Sequence, residues 1–489
     1  MALLACYDAL MPEQRFDAVV IGAGPGGYPA AIRLGQLKVK TCIIEREYMG
    51  GVCLNVGCIP SKAVIHAAKM FDKLGHVDDI GITVASKPTL DMKKMQTWKT
   101  GVVNKLTGGV RTLLKGNGVE IVEGSATLGK PGPDGHRITV QTKTGPQTII
   151  AKSVVLATGS RPTEIPGFKI DQQRIIDSTG ALALEAVPAR MIVIGGGYIG
   201  LELGIFFSKV GSEVIVVEMT AGILPGTESD CALVVARSLA KRGMKVRLGA
   251  KAVGYEKRGG ALAVTIEVDG KKEVVEVDQI LSTVGRRPNS ENLGLESVGI
   301  KLDAKGFVPV DAQRRTSAPH VYAIGDLSGQ PMLAHKASRE GLVAAAAIAG
   351  DKSAAFDPVA IPAVIFTDPE VASVGLTEAQ ATERGFEPVT GRFPFAASGR
   401  AMTLNETDGF VKVVADKKSD VVLGVHMVGP DVSELIAEAG LALEMGATTE
   451  DLATTIHAHP TLPESLMEAA EAVHGVAIHL FQAKRTAAK

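Results

Sequence analysis

Two cysteines stand five positions apart in Gly50-Gly-Val-Cys53-Leu-Asn-Val-Gly-Cys58-Ile-Pro-Ser-Lys62. If the segment opens a helix, the dipole and free amides there favour thiolate, the nucleophilic form, and Lys62 one turn beyond Cys58 adds positive charge. A reactive disulfide is the expected resting state. A metal site would need four ligands, but there is no second cysteine pair and His66 alone does not complete a tetrahedron, so no metal is expected. A structural disulfide fits poorly: its loop would enclose only four residues, and Cys6, Cys42 and Cys231 have no close partner in sequence, which points to a reducing, cytoplasmic compartment.

A second constellation lies near the C-terminus in His457-Ala-His459-Pro-Thr-Leu-Pro-Glu464. A rigid turn at Pro460 could aim one imidazole outward while Glu464 orients it, which would make a general base. An ordinary packed or solvated histidine is the other reading, and the residues alone leave both open.

These groups need elements to position them, and the chain writes one positioning device twice. Asp17-Ala-Val-Val-Ile21 has a buried-strand pattern and runs into Gly22-Ala-Gly-Pro-Gly-Gly27, after which Ala30, Ala31 and Leu34 fit one face of a helix. Thr41 to Ile44 reads as the next strand and ends on Glu45, eighteen residues after Gly27. Further on, Met191 to Ile194, then Gly195-Gly-Gly-Tyr-Ile-Gly200, then Val214 to Val217 ending on Glu218 repeat the pattern, and the first-glycine-to-glutamate spacing is 23 residues in both copies. In such a turn the first glycine (Gly22, Gly195) permits the bend, the second (Gly24, Gly197) lets backbone touch a pyrophosphate, and the third (Gly27, Gly200) lets helix pack on strand. The closing acid can accept both ribose hydroxyls, so two dinucleotides are implied. Glu218 would repel a 2′-phosphate and no arginine follows it until Arg237, which favours NAD over NADP. Beside a redox cysteine pair, the first copy most economically holds a flavin. Ser153 to Gly159 and Val321 to Asp326 are further strand patterns that reach glycine at a ligand edge; Asp326 is either a ribityl ligand or an ordinary turn aspartate.

With 489 residues the chain has room for about three domains. Lysine and arginine total 52 against 53 acids, so no long-range field draws nucleic acid. The richest apolar stretch, Leu342 to Ala349, is far short of a bilayer span, so no membrane partner is expected. Residues 1 to 16 look like neither a signal nor a transit peptide and read as a mobile leader. Toward the C-terminus, Phe410 to Val414 and Val421 to Val428 read as a hairpin around Asp416 to Asp420, and Asp431 with Glu434 as the cap of a helix with Leu435, Ala439 and Leu443 on its apolar face.

From about Phe16 onward these residues resemble the pyridine-nucleotide disulfide oxidoreductases, within them the branch that reoxidises dihydrolipoamide. The matching pieces are both glycine motifs, the cysteine motif through Ile59-Pro-Ser-Lys62, Ala157-Thr-Gly159, Ala323-Ile-Gly-Asp326 and the His457 to Glu464 segment. The resemblance implies an α/β chain with two Rossmann-like dinucleotide-binding domains and a C-terminal α+β dimerisation domain. The FAD domain would be residues 1–158 and 286–357, the NAD domain 159–285 and the interface domain 358–489. It further implies a homodimer in which His459, paired with Glu464 and supported by His457, reaches the cysteines of the other subunit. Lys62 would stabilise reduced flavin and pair with Glu202, and Tyr198 would cover the nicotinamide pocket, although from sequence Glu202 and Tyr198 could be ordinary helix residues. Thr158, Gly159, Asp326 and Ala334 would adjoin FAD, and Gly285 would adjoin NAD.

The implied reaction oxidises protein-bound dihydrolipoamide through Cys53 and Cys58, passing electrons to FAD and NAD. The substrate would come on lipoyl domains of another chain, with the core acyltransferase of a 2-oxoacid dehydrogenase complex, or the glycine cleavage system, as partner. The first glycine motif begins at Gly22, so no lipoyl domain is expected ahead of it. Val52 where threonine is usual and Pro463 where serine is usual depart from the pattern, bearing on flavin affinity and base alignment. Cysteine pairs after Cys231 are absent, which argues against the mercuric and large thioredoxin reductases. A glutathione-type reductase, or a mainly structural or redox-sensing subunit, are the remaining alternatives.

Overall fold

The computed structural model describes residues 13–86 and 88–482. Most of the expected leader therefore lies outside the described residues. Its last part is no leader, because Gln14–Ile21 is one strand and Gln14, Arg15 and Phe16 already pair with Ile149, Ile150 and Ala151.

The first half-domain builds around that strand. It is flanked in parallel by Thr41–Glu45 and by the end of Gly145–Leu156; Glu120–Glu123 lies beyond the former, and Val321–Ala323 pairs with the latter from far along the chain. Strands buried on both faces must be apolar throughout, and Ala18, Val19, Val20, Ile43 and Val155 are fully buried. The helix Gly27–Gln36 covers one face through Ala30, Ala31 and Leu34, the stripe its 3.6-residue periodicity requires. His136–Thr142 and Ser125–Leu128 extend the sheet antiparallel.

The second copy repeats this order in a five-stranded parallel sheet, Lys245–Arg247, Glu213–Val217, Arg190–Ile194, Gln279–Ser282 and Ile175–Ile176. The chain enters and leaves this unit side by side, since Ser160–Pro162 pairs antiparallel with Arg286–Pro288. The last unit is an antiparallel sheet of five strands covered by the helices Val432–Met445 and Glu464–Val473. Its central hairpin is Phe410–Asp416 with Val422–Gly429, the two strands expected, with an irregularity between Val414 and Ala415. Asp431 does not cap the helix that follows: its backbone is left-handed and its side chain makes no capping bond. Glu370, from a neighbouring strand, instead accepts a hydrogen bond from the Ser433 amide at 3.2 Å.

Among the described residues one stretch, Gly51–Lys73, has the length and mean hydropathy (1.2) of a possible bilayer span. It is two helices, Gly51–Val56 and Cys58–Lys73, broken at Gly57, and the second buries Pro60, Ser61, Ala63, Val64 and Ala68 in the protein interior.

The three units meet at one ion network. Asp368 of the last unit accepts Lys209 Nζ and Arg242 Nη2, each at 2.6 Å, and Asp72 at the end of the cysteine-bearing helix takes Arg242 Nη1 at 2.9 Å. Burial would raise the Asp368 pKa, but the charge and hydrogen bond of Lys209 and the charge of Arg242 outweigh it and hold the carboxyl below 3.8. Removing the carboxylate leaves two crowded cations, so Asp368→Asn should cost about 2–3 kcal/mol at pH 7. Because the folded-state pKa is depressed, that stability is present above about pH 4 and is lost as pH falls through the folded value. Urea unfolding of wild type and variant should give a gap that is wide at pH 7 and narrowed at about pH 3; an unchanged gap would contradict this account.

Candidate active site

The cysteine segment is seated on the first glycine turn. The Gly50 amide donates to the Ala23 carbonyl at 2.9 Å, and a Cβ on Gly51, whose φ is +66°, would lie 2.5 Å from the Gly24 Cα. Only glycine allows that approach. Asn55 Nδ2 donates to the carbonyls of Met49 and Gly51, both at 2.9 Å, which fixes the short helix carrying Cys53. Cys58 is the first residue of the following helix, where the unpaired amides favour an anion.

Cys53 and Cys58 are free thiols close enough to share a hydrogen bond. The bond from Cys53 lowers the Cys58 pKa; burial opposes it and Lys62 assists, bringing Cys58 down to about 7. The same hydrogen bond, then burial, pushes Cys53 far up. Of the two, Cys58 is thereby the easier to ionise and Cys53 its hydrogen-bond donor. Cys42 and Cys231, by contrast, are pushed up to about 12 by burial and are chemically quiet.

Lys62 Nζ lies 2.8 Å from Glu202 Oε2. The glutamate is 4% exposed and sits in the helix Tyr198–Lys209, so the pair joins the cysteine helix to the second copy. Its other oxygen accepts from the Phe366 amide at 2.9 Å, and the Phe366 ring lies under the lysine ammonium, 4.5 Å from Nζ to the centroid. Tyr198, the first residue of that helix, is exposed and within Coulombic range of Arg286, Asp326, Glu202 and Cys58.

Each glycine turn has the shape a pyrophosphate needs. A Cβ on Gly27 would lie 1.9 Å from the Gly22 carbonyl oxygen, and one on Gly200 would lie 2.2 Å from that of Gly195; helix and strand touch there. A Cβ on Gly197 would meet nothing within 4 Å and one on Gly24 nothing nearer than 3.9 Å, so these positions open onto a cradle a side chain would fill. The residues present therefore fit two dinucleotides. Glu45 and Glu218 do more than wait for a ribose: each takes an amide of its own glycine turn, Ala23 or Gly196, at 2.6 Å, and the amide two residues onward, Glu47 at 2.9 Å or Thr220 at 2.8 Å. A carboxylate has about four lone-pair sites, so each can brace its turn and still accept a hydroxyl.

Sequence order hid one cation: parallel pairing sets Arg247 beside Val217, next to Glu218, but its Nε is held by Glu273 at 3.1 Å. Near the first turn, Asp326 accepts from Ser160 Oγ, which itself accepts from Arg286 Nε at 2.8 Å. Thr158 Oγ1 donates to the Asn289 carbonyl at 2.8 Å, and Gly159 is held at φ +69°. Ala334 is the first residue of the helix Ala334–Ile348, and Gly285, at φ +114°, faces open space. Ser160, Arg286 and Phe366 carried no sequence signal, because partners more than a hundred residues away give them their place.

His459 Nδ1 is 2.8 Å from Glu464 Oε1, and Glu464 Oε2 accepts the Thr461 amide at 2.7 Å. Burial pushes the Glu464 pKa up, but the Thr461 amide and His459 outweigh it and keep the carboxylate ionised. An ionised carboxylate only accepts, so the proton sits on Nδ1 and Nε2 presents a free lone pair. The His459 side chain is 80% exposed, aimed away from its own fold. The His457 side chain is covered, with Nε2 2.9 Å from Glu438 Oε1 and Nδ1 2.8 Å from the Thr455 carbonyl, a structural setting. Pro463 leaves the Glu464 contact intact. In the same unit Ile456 is 97% and Met445 75% exposed, and Leu441 and Ile478 are also bare.

Two outcomes follow. Cys58 should be alkylated at a rate that rises with a midpoint near pH 7, and Cys53→Ala should move that midpoint up, since no donor replaces the thiol; an unmoved midpoint would remove Cys53 from this role. Gly197→Ala should fold normally but raise KM for NAD about tenfold or more, whereas Gly200→Ala should cost at least about 3 kcal/mol in stability. Equal thermal stability of the two variants would contradict the packing account.

The family described as pyridine nucleotide-disulphide oxidoreductase matches residues 16–341, and its dimerisation domain matches residues 361–470. The chain is 51% identical over 465 residues to the dihydrolipoyl dehydrogenase of Bacillus subtilis, covering 95% of this chain and 97% of that one. It is 48% identical over 468 residues to that of Haloferax volcanii, with the same coverages. Among solved structures, LpdA of Mycobacterium tuberculosis superposes with a TM-score of 0.87 at 30% identity, covering 94% of this chain and 99% of that one. The HOCl-induced flavoprotein disulfide reductase RclA of Escherichia coli gives 0.81 at 26%, covering 93% and 99%. Identity at this level along nearly the whole of both chains goes beyond a shared fold: the chain belongs to the pyridine nucleotide-disulphide oxidoreductase family and is a homodimeric flavoprotein oxidoreductase that works with FAD and NAD.

Proposed function

We infer that the chain is a dihydrolipoyl dehydrogenase, oxidising dihydrolipoamide to lipoamide with NAD as final acceptor. The observation that carries this is the cysteine pair at a helix start beside Lys62, itself held by Glu202, with Cys58 pulled down toward ionisation and Cys53 pushed up. It has the product form of a two-step thiol exchange. In the first step His459 of the partner subunit takes a proton on Nε2 from one substrate thiol; that sulfur attacks Cys53 of the disulfide, forms a mixed disulfide and releases Cys58 as thiolate. In the second, the remaining substrate sulfur displaces Cys53, closing the lipoamide disulfide and leaving Cys53 to take up a proton. FAD, held by the first glycine turn, would supply two-electron acceptance and hydride transfer to NAD.

FAD would be held by the turn from Gly22 to Gly27 with Glu45, and by Thr158, Gly159, Asp326 and Ala334. NAD would be held by Gly195, Gly197 and Gly200 with Glu218, Tyr198 and Gly285. The proposed domains are 1–158 with 286–357, 159–285 and 358–489; the paired crossing of Ser160–Pro162 and Arg286–Pro288 supports the boundaries of the middle one. The substrate arm would belong to a lipoyl domain on another chain, in the cytoplasm, serving a 2-oxoacid dehydrogenase complex or glycine cleavage.

His459→Gln should lower dihydrolipoamide turnover by about 10²–10⁴-fold. If each site draws cysteines from one subunit and base from the other, a heterodimer of Cys58→Ser and His459→Gln chains holds one intact site. Co-expressed heterodimers should recover roughly half the wild-type activity per dimer, while each variant homodimer stays inactive. Heterodimers as dead as the homodimers would sink the shared-site mechanism.

A further inference from the structure

Phe366 touches both halves of the Lys62–Glu202 pair, with its ring 4.5 Å from the ammonium and its amide 2.9 Å from the carboxylate. The three residues come from the cysteine helix, the second nucleotide unit and the short segment between the strands Ala363–Ile365 and Glu370–Gly375. That segment is fixed: Thr367 Oγ1 donates to the Pro369 carbonyl at 2.8 Å, and Asp368 is locked between Lys209 and Arg242. These contacts restrain the segment that carries Phe366.

The arrangement solves a conflict. The groups acting on the Cys58 thiolate are Cys53, Lys62, Glu202 and, at the rim, Tyr198. Lys62 favours the anion and Glu202 opposes it, so the benefit depends on where the ammonium sits between them. A second carboxylate would hold the lysine but cancel its charge. An aromatic face attracts the cation through its quadrupole and brings no net charge of its own.

We propose that Phe366 is a positioning residue, fixing the Lys62 ammonium for Cys58 through its ring while its amide fixes Glu202. This rests on the reading of Cys58 as the reactive thiolate, and its test does not require lipoamide turnover. In the reduced holoenzyme, Phe366 is replaced by mono-, di- and trifluorinated phenylalanine, which keep the shape and progressively weaken the ring quadrupole. The rate of Cys58 alkylation by iodoacetamide is then followed against pH. The expected result is a stepwise rise of the midpoint, by about half a unit for the most fluorinated ring, with Phe366→Tyr close to wild type and Phe366→Leu shifted at least as far as the trifluorinated ring. A midpoint that stays constant across the fluorinated series overturns the proposal, even if Phe366→Leu fails to fold. Failure of dihydrolipoamide turnover with an intact fluorination trend would instead overturn the proposed activity alone.

Discussion

A cysteine sulfur has to be favoured as an anion at the junction of three folded units, and that constraint organises the molecule. Desolvation opposes it, so every neighbour that favours the charge must be held in place. The helix start at Cys58 supplies amides, Cys53 supplies a hydrogen bond, and Lys62 supplies a full charge that Glu202 anchors from another domain. None of these contacts would last if the units could slide. The ion network of Asp72, Lys209, Arg242 and Asp368 ties the far end of the cysteine helix to the same segment that carries Phe366.

The two nucleotide units show how a repeated sequence becomes a repeated electrostatic device. In both, a glutamate at the end of the second strand accepts a backbone amide from the glycine turn and another from the chain just beyond itself. A glycine turn gains no rigidity from side chains, so the acid provides it. The cradle is thereby shaped in advance, and the carboxylate proposed to meet the ribose also braces the turn beside it.

Much of this was legible in the sequence because it is local. Strand, glycine turn, helix and acid lie within a few dozen residues, and their periodicity and spacing identify them; the cysteine pair and the His459–Glu464 pair are likewise short-range. What the sequence concealed depends on distant pairing. Asp431 looks like a helix cap, but Glu370 takes part of that role from a neighbouring strand. Residues 14 to 16 look like leader until a strand more than a hundred residues away pairs with them. Arg247 enters the neighbourhood of Glu218 only through sheet register. Phe366 carries no motif, and only the tertiary fold places it beneath Lys62.

The central claim is that this thiolate exchanges with a dithiol on behalf of NAD. The direct test is anaerobic reduction of NAD by dihydrolipoamide with the purified holoenzyme, run beside NADPH with glutathione disulfide. Fast turnover in the first assay and none in the second is the result this account predicts. Turnover only with NADPH and glutathione disulfide would contradict it, and would mean that Glu218 does not select the cofactor.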